Sequence, residues 1–434
     1  TTEKSNTNFN NLGVNPSLVK TLNKSGIYEP FPIQVAAIPD AIKGKDVLGR
    51  GQTGSGKTLA FGLALLTRLA NRKARAHHPL AIVLSPTREL AMQINDVINP
   101  LATSVHLSSR LIAGGMPYGA QIQALKKAVP ILVSTPGRLI DLMEQKHVYL
   151  DETEIVVLDE ADQMADMGFL PDMKAILDAC KPKGQRLLFS ATLDRGVDGI
   201  VKKYLHNPIT HSVNTDKASV STMQHHVFVI HPNDKEEITS QIAARDGKTI
   251  LFVRTQHGAD KLAHKLAQVG VPVGSLHGGK SQSVRTKTLA KFKTGITPAL
   301  VATDVAARGI HVDDVSLVVH VDPPQEAKDY LHRAGRTARA GETGIVVTIC
   351  LLKQQNQIKR LMDRAGVKPR MVRIKPNSAE LVSVTGARKP SGVAWIAPVV
   401  KERHENQKHG NRSRNRDRNR RRRPRPNHRR KRNK

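Results

Sequence analysis

Gly51-Gln52-Thr53-Gly54-Ser55-Gly56-Lys57-Thr58 fits the pattern G-x-x-x-x-G-K-[ST], and its setting decides the first half of the fold. Asp46-Val47-Leu48 reads as a short strand entering it, and Thr58 to Leu69 as a buried helix leaving it. Strand, glycine loop and helix are what phosphate binding needs. Glycines let backbone N–H groups turn inward without Cβ clashes, and the helix N-terminus adds partial positive charge. Lys57 can reach the β and γ phosphates of a nucleoside triphosphate, and the Thr58 hydroxyl can ligate Mg²⁺.

About a hundred residues on, Asp159-Glu160-Ala161-Asp162 follows the apolar run Ile155-Val156-Val157-Leu158. A carboxylate at the end of a buried strand is the usual second holder of the metal, and Asp159 sits there. Glu160 can orient or deprotonate the attacking water. Alone, such an acidic cluster is most often an ordinary strand-to-helix turn. Paired with the glycine loop, it points to a nucleotide triphosphatase.

The chain has 434 residues, room for two domains and extensions, and a net charge of +31. From Lys401 to Lys434 seventeen Lys or Arg face three Asp or Glu, a net of +14 that leaves +17 for the rest. Body and tail are both basic, which points to a polyanionic partner. Cys180 and Cys350 stand far apart without metal-spaced neighbours, so neither a disulfide framework nor a zinc site is expected. No apolar stretch reaches membrane-spanning length and Thr1 to Asn11 is polar, so the expectation is no membrane, no secretory signal and a cytoplasmic protein.

From Phe9 to Ser212 short β-rich runs (Ala81–Leu84, Ile131–Val133, Ile155–Leu158, Leu187–Phe189) alternate with amphipathic stretches. The alternation predicts a parallel sheet covered by helices over 1–212. Residues 213–223 read as a linker. A second alternating set over 224–368, with runs such as Val227–Ile230, Thr249–Val253, Leu317–Val319 and Ile345–Ile349, predicts a second α/β domain without a phosphate loop. Residues 369–434 read as a basic, largely disordered tail.

Further motifs name a family. Gly26-Ile27-Tyr28-Glu29-Pro30-Phe31-Pro32-Ile33-Gln34, Pro86-Thr87-Arg88-Glu89-Leu90, Gly114-Gly115, Thr135-Pro136-Gly137-Arg138, Ser190-Ala191-Thr192, Gln282 to Arg285, Ala302-Thr303-Asp304, Ala307-Arg308-Gly309-Ile310 and His332-Arg333-Ala334-Gly335-Arg336-Thr337-Ala338-Arg339 occur in one order. In that order and spacing the chain resembles a DEAD-box ATP-dependent RNA helicase from Phe9 to about Gly344, with a basic extension like those of bacterial members. The resemblance implies two tandem RecA-like domains flanking a cleft. It implies that Phe9 and Gln34 read adenine, with Gly51, Gln52, Thr53, Gly54, Ser55, Gly56, Lys57 and Thr58 around the phosphates of ATP. Pro86, Thr87, Arg88, Gly115, Thr135, Pro136, Gly137, Arg138, Arg285 and Thr303 would contact RNA. Asp162, Ser190, Thr192, His332 and Arg333 would couple hydrolysis to strand separation, and Arg336 and Arg339 would act as arginine fingers.

The pattern is broken at Gly51, Phe31, Ala334 and Ala338. The most consequential departure is His311, where an Asp that accepts bonds from the ATP ribose is expected. The residues support the same roles: Gln34 offers a donor and an acceptor to an adenine edge, and Arg336 and Arg339, three apart, share a face if helical. The expected function is ATP-driven local separation of short RNA duplexes or remodelling of RNA–protein complexes. The expected cofactors are ATP and Mg²⁺. RNA would be held through its phosphates, ribosomal or RNA-decay assemblies would be partners, and the chain would act as a monomer. The rivals are a DNA helicase or remodeller and an RNA chaperone or annealer working mainly through its tail.

Overall fold

The computed structural model describes residues 8–51, 56–190, 195–212, 223–307, 312, 314–337 and 344–396. They form two seven-stranded, wholly parallel sheets within one compact unit. The first sheet comprises β1 (Val47–Arg50), β2 (Ala81–Leu84), β3 (Ser109–Ile112), β4 (Ile131–Ser134), β5 (Ile155–Asp159), β6 (Gln185–Ser190) and β7 (Ile209–Ser212) in the order β3-β4-β2-β5-β6-β1-β7. The second comprises β8 (Met223–Ile230), β9 (Lys248–Phe252), β10 (Val273–Leu276), β11 (Ala299–Ala302), β12 (Val315–His320), β13 (Gly344–Leu351) and β14 (Arg370–Arg373) in the order β10-β11-β9-β12-β13-β8-β14. Adding seven to each strand number of the first order gives the second.

Both faces of each sheet are covered, so the central strands are buried on both sides and mostly apolar. In the first domain Ile155 and Val157 join one core with Phe61, Leu90 and Ile94, while Val156 and Leu158 join another with Leu139, Met173 and Ile176. The second domain divides in the same way: Leu317 and Val319 pack on one side, Val318 on the other.

Two boundaries differ from the sequence reading. The second domain does not end at 368. β14 pairs in parallel with β8, from Arg370 opposite His226 to Arg373 opposite Val229, and supplies the seventh strand. The helix Ala379–Thr385 follows, and Ile374, Leu381 and Ala387 are buried in the same core as Phe228 and Leu251. The chain then runs back along the domain, Trp395 N–H donating to Ala267 O at 2.8 Å. Residues 369–396 are therefore domain rather than tail; their charges and prolines hid a few well-placed apolar residues. The expected linker also runs one residue too far, because β8 begins at Met223. The disordered tail expected beyond Ile396 lies outside the described residues.

Candidate functional site

β5, β6 and β1 are neighbours, so their carboxyl ends bring Asp159, Ser190 and Gly51 together. Open parallel sheets place ligands at that edge. Gly51 N–H donates to Ser190 O at 3.3 Å. Gly56 takes a positive φ of 85° and hands the chain to the helix Lys57–Leu69. Lys57, 5% exposed, reaches across to the acidic turn, its Nζ 2.8 Å from Glu160 Oε1 and 4.0 Å from Asp159 Oδ1. Glu160 is itself left-handed, with φ 52°. That conformation is uncommon for a residue with a Cβ, and here it turns strand into helix and aims the carboxylate at Lys57. Asp162 N–H donates to Ser190 Oγ at 3.3 Å, tying the acidic turn to β6.

Burial pushes the Asp159 carboxyl up to about 7, against the pull of Lys57 and with the added repulsion of Glu160. Burial also lowers the Lys57 ammonium, but Glu160 and Asp159 more than reverse that, and it stays above its ordinary range. Two buried carboxylates thus share one ammonium, a charge balance that favours a further cation. Among the described residues no group of three or more His, Cys, Asp or Glu forms a metal cage. Such a sparse set of donors fits Mg²⁺, which is normally held by one or two protein oxygens with waters and phosphates; Asp159 and Thr58 would supply them.

Gln34 lies beside the phosphate loop. It is 1% exposed and both ends of its amide are engaged: Oε1 accepts from Phe31 N–H at 2.8 Å and Nε2 donates to Gly56 O at 2.9 Å. It joins the Pro32–Ile42 helix to the phosphate loop. Phe9 is 1% exposed, its ring part of the core with Leu12, Leu18 and Ile33.

The second domain meets this site with the helix Ala327–Ala334 and the residues after it. Burial lowers the His332 imidazole, opposed by the charges of Asp162 and Glu160, which places His332 close to the acidic turn. Arg336 is buried and its Nε donates to His332 O at 3.2 Å. Arg333, expected among the coupling residues, is committed within its own domain. Its guanidinium grips both oxygens of Asp304, donates to Asp322 O at 2.8 Å and lies over the Phe252 ring. It anchors the helix rather than facing the first domain. Gln52, Thr53, Gly54, Ser55, Thr192, Arg339 and His311 lie outside the described residues.

The expected RNA contacts collect at the ends of β2, β3 and β4, adjacent strands in the sheet. Arg88 Nη1 donates to Gly115 O at 2.8 Å, Arg138 Nη1 to Met116 O at 3.1 Å, and Gly114 N–H to Thr135 Oγ1 at 3.4 Å. The Arg138 guanidinium lies 3.9 Å over the Tyr118 ring. Thr87 Oγ1 caps the helix Arg88–Thr103 by accepting from Leu90 N–H. Gly137 is exposed, whereas Pro86 and Pro136 are buried and shape their loops instead of offering surface. On the second domain Thr303 is buried behind the Asp304–Ala307 helix.

Arg285 faces the first domain, its Nε 2.9 Å from Glu89 Oε1 though out of line for a directed hydrogen bond, and Gln282 Nε2 donates to the same oxygen at 2.9 Å. Glu89 was not foreseen as a meeting point. Its signal in the sequence is that it is the one acid among the basic motifs of that loop.

Residues 31–200 match the DEAD/DEAH box helicase family and residues 234–341 the helicase conserved C-terminal domain. The chain is 37% identical over 388 residues to the mitochondrial DEAD-box ATP-dependent RNA helicase 9 of Arabidopsis thaliana, across 87% of this chain and 63% of that relative. It is 36% identical over 372 residues to the DEAD-box ATP-dependent RNA helicase CshA of Geobacillus kaustophilus, across 85% of this chain and 79% of the relative. The chain thus spans less than two thirds of the plant relative's length. Among solved structures it resembles S. cerevisiae Dbp5 bound to RNA and ADP BeF3, with a TM-score of 0.77 and 30% identity over 86% of this chain and 97% of that one.

Proposed function

The chain belongs to the DEAD-box family of ATP-dependent RNA helicases, and from that premise we propose that it hydrolyses ATP between its two RecA-like domains to open short RNA duplexes or remodel RNA–protein complexes. The observation that carries this reading is the buried Lys57–Glu160–Asp159 group at the strand ends, faced by His332 and Arg336 of the second domain. Lys57 places positive charge on the phosphates. Glu160, steered by its left-handed backbone, orients the attacking water and accepts its proton. Asp159 and the Thr58 hydroxyl would hold Mg²⁺, which when bound neutralises phosphate charge as a Lewis acid. Arg336 brings a guanidinium to the same cleft, where such a charge is worth about 10³ to 10⁵ in rate. Arg339 shares the role.

RNA lies over Arg88, Gly115, Thr135, Gly137 and Arg138, where exposed backbone and guanidinium groups hold phosphates without reading bases. Arg285 and Gln282, which now face the Glu89 carboxylate, exchange it for an RNA phosphate. We place the protein in the cytoplasm as a monomer that serves ribosomal or RNA-decay assemblies. Phosphate release measured with no nucleic acid, with single-stranded RNA and with single-stranded DNA tests the reading. Stimulation by RNA alone is expected. Equal stimulation by DNA would turn it towards a DNA remodeller, and no hydrolysis at all towards an RNA chaperone.

A further inference from the structure

Two charges sit at ends of helices where the backbone opposes them. Asp166 is the last residue of the helix Ala161–Asp166, and Lys328 is the second residue of the helix Ala327–Ala334. A carboxylate at a helix C-terminus meets the negative end of the helix dipole, and an ammonium in a first turn meets the positive end. No basic residue occupies the last turn of the first helix to relieve Asp166. Each misfit is relieved across the domain boundary: Lys328 Nζ lies 2.8 Å from Asp166 Oδ2, both side chains about 30% exposed.

The spacing adds a second fact. Asp166 follows Asp162 by four residues, and Lys328 precedes His332 by four, so each pair shares one helix face. His332 stands close enough to Asp162 to feel its charge. The two helices are tied across the domain boundary by the Asp166–Lys328 pair, with His332 one turn further along on the Lys328 face.

We propose that the Asp166–Lys328 pair is a positioning contact that sets the register of the Ala327–Ala334 helix, and with it Arg336, over Glu160. The pair joins one residue from each domain, so it favours the closed arrangement without touching nucleotide or RNA. The inference rests on hydrolysis taking place between the two domains.

The test uses the full chain with Asp166→Lys, Lys328→Asp and both together. Phosphate release with RNA is measured against ATP concentration, RNA affinity is measured with and without a non-hydrolysable ATP analogue, and thermal melts are recorded. Each single reversal is expected to lower RNA-stimulated kcat by about tenfold, equivalent to about 1.4 kcal/mol, and to weaken RNA binding only when the analogue is present. The swapped double variant should return to within about threefold of the wild type, since coupled charges are not additive. A swap no better than the worse single variant, or single reversals indistinguishable from wild type, overturns the proposal. If a reversal lowers the melting temperature, Asp166→Asn and Lys328→Ala replace it; their double variant should then lose no more than either alone, and additive losses overturn the pairing. If the wild type shows no RNA-stimulated hydrolysis, the functional reading fails on its own, and analogue-dependent RNA affinity still decides the pairing.

Discussion

Glu160 combines a strained backbone with a buried carboxylate, and its neighbour Asp159 with Lys57 keeps the site intact when Glu160 loses its charge. Glu160→Gln should therefore keep ATP and RNA binding and lose turnover by at least about 100-fold, the lower range for a general base. Steady-state phosphate release and ATP-dependent RNA retention check this; turnover within threefold of wild type removes Glu160 from its role. A second prediction concerns the buried histidines beneath the Ala327–Ala334 helix. His225 bonds Tyr330 Oη at 2.7 Å and His320 stacks edge-on against the same ring. Burial holds His225 down to about 4 and His320 well below its ordinary 6.5. Between pH 6.5 and about 4 the unfolded chain binds protons that the folded chain refuses, so stability falls as pH falls through that window and is complete above it. The second domain should melt several degrees lower at pH 5 than at pH 7, and His225→Gln should shrink the difference. A pH-independent melt between those values would exclude the effect.

β3, β7 and β14 are the strands that patterning did not reveal, and all three are sheet edges. Ser109-Arg110-Leu111-Ile112, Ile209-Thr210-His211-Ser212 and Arg370-Met371-Val372-Arg373 carry polar or charged residues because an edge strand faces water and must resist further pairing. The central strands, each with an apolar run, were legible for the opposite reason. At the site, sequence located Lys57, Asp159, Glu160 and Arg336, whose chemistry is tied to a motif. It gave no sign that the Phe9 ring, the Gln34 amide and the Arg333 guanidinium pack within their own domains, because motif spacing does not say which way a side chain faces. β14 supports a direct prediction. A chain ended at Lys368 loses that strand, the helix Ala379–Thr385 and the buried Ile374, Leu381 and Ala387. Removing buried aliphatic groups costs about 2–5 kcal/mol each, so melting should fall by at least about 10 °C and the bare β8 edge should promote aggregation. A chain ended at Ile396 should melt like the full protein. Equal melts for both truncations would return 369–396 to the tail.

For the molecule as a whole, charge and energy scale set what it handles. The segment from Lys401 to Lys434 adds +14 and no aromatic residue, so it offers phosphate attraction without base stacking. Ending the chain after Val400 should weaken RNA affinity and flatten its salt dependence, each lost single-strand phosphate contact removing a slope of about 0.7, while ATP hydrolysis without RNA stays nearly unchanged. An unaltered salt slope would show that the tail does not touch RNA. Opening ten base pairs at about 1.4 kcal/mol per step requires on the order of 14 kcal/mol, so unwinding rates should fall steeply with duplex length. Rates that are flat between six and sixteen pairs would point to processive movement instead.

The repeated strand order puts the turn after the opening strand at the same place in both domains. In the first domain that turn is rich in glycine; in the second it is His231-Pro232-Asn233-Asp234, in which proline removes an N–H donor. Lys235 opens the following helix, as Lys57 does, but pairs with Asp322 at 2.9 Å. Carrying both domains on one chain makes their meeting internal rather than concentration-dependent, for which a short tether gives a local concentration on the order of millimolar. On the proposed function, the half with the glycine turn holds the nucleotide and the other is the half that arrives.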